Sequence, residues 1–224
     1  MEEITINKKT SLSDKAKYFF KKPSILFEQF VEDPKYGLNL LIFIIATAIY
    51  SVSYAIGCKD YIISMIEKQV QEISQPQALE IAKSVATNPI ILSVSAIVTT
   101  IISVYLFSLL YFLIAKFTDR KISFKRIVSI YCLSSIAIAI GLIIKSILML
   151  IIHKPILDNS SNPTLIGTLL NYIDPFNIWQ YVLLIIGIST VGKTSKKESS
   201  FIVIIGIIIS ISISLLMFAL KLKK

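Results

Sequence analysis

Residues 89–115 read PIILSVSAIVTTIISVYLFSLLYFLIA, a run of 27 residues without Asp, Glu, Lys or Arg. A bilayer core about 30 Å thick is crossed by roughly 20 helical residues. Lipid offers no partner to an open amide or carbonyl, so such a run predicts a helix that crosses the membrane. Four further stretches lack charge: 38–58, 127–144, 175–192 and 201–220. The expected fold is all-α, a polytopic membrane bundle of five transmembrane helices. The spans fall at about 37–57, 90–115, 127–152, 176–191 and 201–220. The fourth shares its charge-free run with the preceding loop and is the shortest. Residues 209–214, ISISIS, alternate like a strand, but one unpaired strand cannot cross lipid, so helix is expected there too.

Composition agrees with this reading. Mean hydropathy is +0.74. Charged residues make up 17% of the chain, against about 25% in a soluble domain. The net charge of +9 comes from residues that mostly flank the apolar runs. Neither a zinc-knuckle spacing nor a basic helix long enough to cross a groove is present, so nucleic acid is not an expected partner. The bilayer is.

Between the spans lie segments of distinct character. Residues 1–36 hold seven Lys and six acidic residues. Ser13 and Asp14 are candidate caps for a first short helix, and Pro23 for the start of a second. Phe19, Phe20, Ile25, Leu26 and Phe30 supply an apolar side; Lys15, Lys17, Lys21 and Lys22 supply a basic one. Such helices lie on an anionic membrane face, pack on the spans, or do both. Pro34 and Gly37 punctuate the approach to the first span. In the connection 58–88, Ile62, Ile66, Val70 and Ile73 recur at helical spacing, and Pro76 separates a second short helix.

Basic residues set the expected orientation. With the N-terminus cytoplasmic, the inner segments hold fifteen basic residues and the outer ones seven, Lys145 being the remaining one of 23. The expectation is a multi-pass cell-membrane protein, N-terminus inside and C-terminus outside, with 58–88 an outer helical connection. The first apolar run begins only near residue 38 and ends without a small-x-small site, so it is expected to remain as a span. Cys58 and Cys132 then lie near opposite faces, too far apart for a disulfide.

The chemistry expected inside the membrane is sparse. Lys145 is the one charge within a span. Its distance from Ile152, roughly 10 Å of helix, favours snorkelling to the headgroups over pairing or a functional role. Ser95, Thr99 and Ser103 share a face, as do Ala137 with Gly141 and Gly206 with Ser210 and Ser214. Close helix packing is the commoner meaning of such stripes, the lining of a polar cavity the rarer one. His153 is the only histidine and has no cysteine beside it, a poor metal site. Residues 187–194, GISTVGKT, match the bare pattern of a phosphate loop. That loop needs a strand before it and water around it, whereas Gly187 falls in a predicted membrane helix, so the match is read as coincidence. No HExxH or GxSxG motif occurs. The expected protein is not an enzyme and carries no cofactor, metal or catalytic residue.

Residues 171–192, NYIDPFNIWQYVLLIIGISTVG, resemble the Yip1-domain family of membrane proteins through Asp174, Phe176, Trp179 and Gly187. The stretch KKPSILFEQFVEDPKYG at 21–37 is similar to the family's opening through Pro23, Phe27, Pro34 and Gly37. The resemblance runs over nearly the whole chain from about residue 20. It implies a five-helix bundle with a cytosolic N-terminus. Eukaryotic members resemble trafficking factors that engage small prenylated GTPases, but the long N-terminal domain of those members is missing here. Some bacterial relatives resemble accessory subunits of ABC-type exporters. The resemblance assigns no catalytic residue. Asp174 and Asn177 bracket Phe176 at the start of the fourth span. Asp174 is a candidate helix cap, and Trp179 a candidate for the interfacial aromatic belt. These residues are read as structural first, and as part of a partner-binding groove second.

Two functions follow. The first is a membrane scaffold or accessory subunit of another complex, such as exporter subunits. The second, resting on Ser95, Thr99, Ser103 and Lys145, is a self-associating channel or small-solute transport protein.

Overall fold

The structure, a computed structural model, describes residues 11–70, 76–118, 122–156 and 165–221. Among them are eleven α-helices, one short 3-10 turn and no strand: α1 Leu12–Lys21, α2 Pro23–Glu32, α3 Gly37–Gly57, α4 Lys59–Val70, α5 Pro76–Ala86, α6 Pro89–Phe117, α7 Phe124–Ser134, α8 Ile136–Ile152, α9 Leu165–Leu170, α10 Pro175–Gly192 and α11 Lys196–Lys221. Five segments are long and apolar enough to cross a membrane: α3, α6, α7 with α8, α10 and α11. Their outer faces carry exposed isoleucines and leucines from end to end, such as Ile45, Ile102, Leu106, Ile151 and Ile208. A soluble protein does not present continuous apolar surface of this kind, and lipid tails cover it at no cost. The 29 residues of α6 rise about 43 Å, more than the hydrocarbon is thick, so this helix crosses with tilt.

α3 lies along α8 and α6, while α10 is surrounded by α2, α7, α8 and α11. The main core sits on the α10 side. Leu183, Leu184 and Ile188 of α10 meet Ile127 and Ile130 of α7 and Ile202 and Val203 of α11 there. Phe27 and Phe30 of α2 are buried in the same core. The N-terminal segment is thus part of the bundle rather than a tail. α1 keeps Lys15, Lys17, Lys21 and Lys22 exposed while Phe19 is buried.

The third span, Phe124–Ile152, falls where the sequence reading placed it and carries a turn at Ser135. There α7 ends at Ser134 and α8 begins at Ile136. Neither proline nor glycine causes the turn. At the turn, Ser135 Oγ donates to Tyr131 O at 2.8 Å, while Ser135 N keeps its helical bond to the same carbonyl at 2.9 Å. The first cap moves. Ser11, not Ser13, caps α1, its Oγ accepting from Asp14 N at 3.1 Å.

α11 starts at Lys196 rather than near Phe201 because Ser195 and Glu198 form a capping box. Ser195 N donates to Glu198 Oε2 and Glu198 N to Ser195 Oγ, both at 3.2 Å. This pairing satisfies two open donors reciprocally. The turn before it holds Lys193 in the left-handed region at φ 50°, where a side chain costs roughly 1–2 kcal/mol. Lys193→Gly is therefore expected to raise stability by about 1 kcal/mol, seen as a higher thermal midpoint of the purified chain in detergent.

At the other end, α4 and α5 are joined by Lys83, whose Nζ lies 2.9 Å from Glu67 and 3.2 Å from Glu80. The hydrogen bond that Lys83 donates to Glu67, then that to Glu80, raises the Lys83 pKa above its ordinary value.

Candidate functional site

The sequence around the start of α10 builds the most developed polar site. Pro175 takes the first helical position, where its missing N–H costs nothing. Asp174 precedes it, and its Oδ1 accepts from Phe176 N at 2.9 Å. Its other oxygen, Oδ2, accepts from Lys145 Nζ at 2.6 Å. One carboxylate thus caps α10 and neutralises the single charge inside α8. The pair is well shielded, with side-chain exposures of 23% for Lys145 and 6% for Asp174. Lys145, for which the sequence favoured snorkelling to the headgroups, is thus paired with Asp174 at the start of α10. Its partner, 29 positions away, lies in a connection and not in any charge-free run.

The remaining residues of this segment knit helices together. Phe176 lies flat on Gly141, where an added Cβ would stand 2.5 Å from its Cγ. A Cβ at Gly187 would stand 2.5 Å from Ile130 Cγ2 and 2.8 Å from Phe27 Cε1. Trp179 stacks with Phe19 at 5.3 Å and Phe20 at 5.2 Å between ring centroids. It thus packs against α1. Pro23 opens α2, and Pro34 lies in the short link between α2 and α3. The Arg126 guanidinium donates to Val31 O, fastening the end of α2 to α7. Phe27, Phe176, Trp179 and Gly187 thus lie along one packing seam on α10.

Behind that seam is a cavity of about 310 Å³ between α6, α7, α8, α10 and α11. Four tyrosines line it, Tyr111, Tyr131, Tyr172 and Tyr181, with Asn177, Gln180, Ser210 and Ser214. Gln180 Nε2 donates to Ser135 Oγ at 3.0 Å, tying α10 to the break in the third span. Gln180 is also a hydrogen-bond partner of Tyr131. Tyr172 Oη donates to Ser210 O at 3.0 Å and meets Ser214 Oγ at 2.6 Å. The Gly206–Ser210–Ser214 stripe thus serves packing at Gly206, which lies against the Tyr111 ring, and polar contact at the two serines. Sequence reasoning singled out Asn177 but missed the tyrosines and Gln180. A glutamine in the middle of a charge-free run was the available signal.

The other stripe behaves differently. Ser95 and Thr99 do not bring two helices together. They are exposed to a hollow of about 450 Å³ between α3 and α6, shared with Thr47, Tyr50, Ser51 and Thr100. Ser103, one turn on, is half-buried and stands outside it. His153 ends α8 in the left-handed region, its Nδ1 3.2 Å from Gly57 O, and so joins the ends of α3 and α8. At residues 187–194 the helix runs through Gly187 to Gly192 with no strand before it. Thr194 Oγ1 bonds Ser199 Oγ at 2.7 Å, so nothing there cradles an anion. Cys58 and Cys132 are both buried and form no disulfide.

Comparison with known proteins agrees with this architecture. The Yip1 domain family model matches residues 17–219. A curated relative described as membrane protein YknW, from Bacillus subtilis (strain 168), is 26% identical over 200 residues, covering 85% of each chain. No solved structure matches.

Proposed function

The chain belongs to the Yip1 domain family of multi-pass membrane proteins, and from that premise we propose that it is a non-enzymatic scaffold or accessory subunit of another membrane complex, an ABC-type exporter being the leading case. One observation carries the reading. Between α3 and α8 runs a groove of about 380 Å³ lined entirely by isoleucine and alanine. Ala46 and Ala139 form its floor, each 4% exposed, and Ile42, Ile49 and Ile144 stand on its rim. Small residues at the floor let a second helix approach closely, and van der Waals packing is what associates helices in lipid. A transmembrane helix of a partner protein fits this shape and chemistry.

Filling the floor tests the idea. Ala46→Leu and Ala139→Leu are expected to cut the partner recovered with the chain in mild detergent at least several-fold. The variants should leave the bundle folded, as judged by its elution from a sizing column. Undiminished recovery from folded variants would place the partner elsewhere and sink the groove.

The orientation belongs to the same reading. The ends of α2, α7 and α10 meet at one pole of the bundle, where Arg126 reaches Val31 and Ile122 packs on Gly192. Lys193, Lys196 and Lys197 lie in the same turn region. That basic pole supports a cytoplasmic N-terminus and an outer C-terminus in the cell membrane.

A self-associating channel or small-solute carrier is the second reading, favoured by the polar hollow that Ser95 and Thr99 share. The Lys145–Asp174 pair weighs against it, because a charge already neutralised is not offered to a permeant ion. Flux into liposomes holding the purified chain alone would decide for the channel.

A further inference from the structure

We propose that the tyrosine-lined cavity between α6, α7, α8, α10 and α11 binds a neutral, hydroxyl-rich group the size of a single sugar ring.

Burying polar groups among spans costs free energy unless they are paired, so convergent polar side chains mark contents that are themselves polar. The lining includes no Asp, Glu, Lys or Arg. A charged ligand would find nothing to offset the loss of its water, which selects a neutral one. Tyr111 supplies the second observation. Its side chain is 4% exposed, it faces the cavity, and its hydroxyl has no hydrogen-bond partner among the described residues. That hydroxyl opens on the cavity, where a ligand hydroxyl can pair with it as donor or acceptor.

The other groups suit the same ligand. Asn177 and Gln180 carry amides that donate and accept at once, as a sugar hydroxyl does. Tyr131 and Phe107 both line the cavity with their rings parallel, centroids 6.1 Å apart, and a pyranose ring packs its apolar face on aromatic rings of this kind. A volume of about 310 Å³ is at the small end of ligand sites, which run from about 300 to 1,000 Å³. The site lies on the opposite side of the third span from the α3–α8 groove and stands independently of the partner reading.

The chemistry has two sources, a free sugar or the headgroup of a neutral glycolipid. The experiment uses the full chain in nanodiscs free of sugar detergents. Three probes are offered: glucose, monoglucosyl-diacylglycerol, and phosphatidylglycerol as the charged control. Saturable binding of the glycolipid without glucose assigns the headgroup, and binding of glucose itself assigns the free sugar. In either case Tyr111→Phe, which keeps the ring and the fold, should weaken binding about 5-fold, and Asn177→Ala should weaken it as well. Binding of neither neutral probe would overturn the proposal. So would binding that both variants leave unchanged, or a preference for phosphatidylglycerol.

Discussion

Asp174→Asn is expected to destabilise the protein by about 3–5 kcal/mol, the usual consequence of removing one partner from a buried ion pair. Asparagine still caps a helix well, so the start of α10 should survive and the loss should fall on Lys145. With its carboxylate gone, the ammonium stands in a span with no other ion-pair partner among the described residues. Asp174→Ala should cost about 1 kcal/mol more, because it also removes the bond to Phe176 N. The informative variant is the double one. Lys145→Met with Asp174→Asn removes both charges and keeps volume and cap, and should recover most of the loss, since a well-packed apolar replacement of a buried pair is often neutral. Thermal unfolding of the wild type, Lys145→Met, Asp174→Asn and the double variant in one detergent gives the coupling directly. Additive effects would show that the two residues do not act as a pair, and would return Lys145 to the headgroups.

The second large effect is expected at Gly187. Leucine there should cost about 3 kcal/mol, at the upper end of overpacking penalties, because the new side chain meets α7 and α2 at once. Ile130 Cγ2 and Phe27 Cε1 already lie 2.5 and 2.8 Å from where its Cβ would be. Both are side-chain ends, but both belong to fully buried residues with little room to turn. α2 is the smaller element and should yield, lifting Phe27 and Phe30 from the core. Trypsin should then cut faster after Lys21, the Lys22–Pro23 bond being resistant to it. Phe27→Ala placed in the Gly187→Leu background should restore part of the stability, which a general loss of folding would not allow. Unchanged proteolysis in the leucine variant would mean that α2 is not held there.

The five spans are legible because each is a long stretch with no charge, and lipid leaves the backbone only one solution for such a stretch. The family could be read from the residues of α2 and α10 that must be a proline, a glycine or an aromatic ring. Other features depend on contacts between distant residues, and periodicity does not carry those. The turn at Ser135 needs no proline; it falls on a residue that bonds back to Tyr131 and accepts from Gln180 of another helix. Lys145 looked like a snorkelling residue because only its own helix was considered, while Asp174 waited in a loop. Ser95 and Thr99 share a face with Ser103, yet the partner helix that packing would require does not close on them, and a hollow remains. The tyrosine cavity draws on four spans and the turn before α10, and no window along one span contains it.

The most direct test of the accessory reading is photo-crosslinking in native membranes, with benzoyl-phenylalanine placed at Ile144 on the rim of the α3–α8 groove and, as a control, at Leu216 on the lipid-facing side of α11. The account predicts a discrete adduct from position 144 alone, joining the chain to a different membrane protein such as an exporter subunit. An adduct only to a second copy of the chain, or the same lipid-only labelling from both positions, would contradict it.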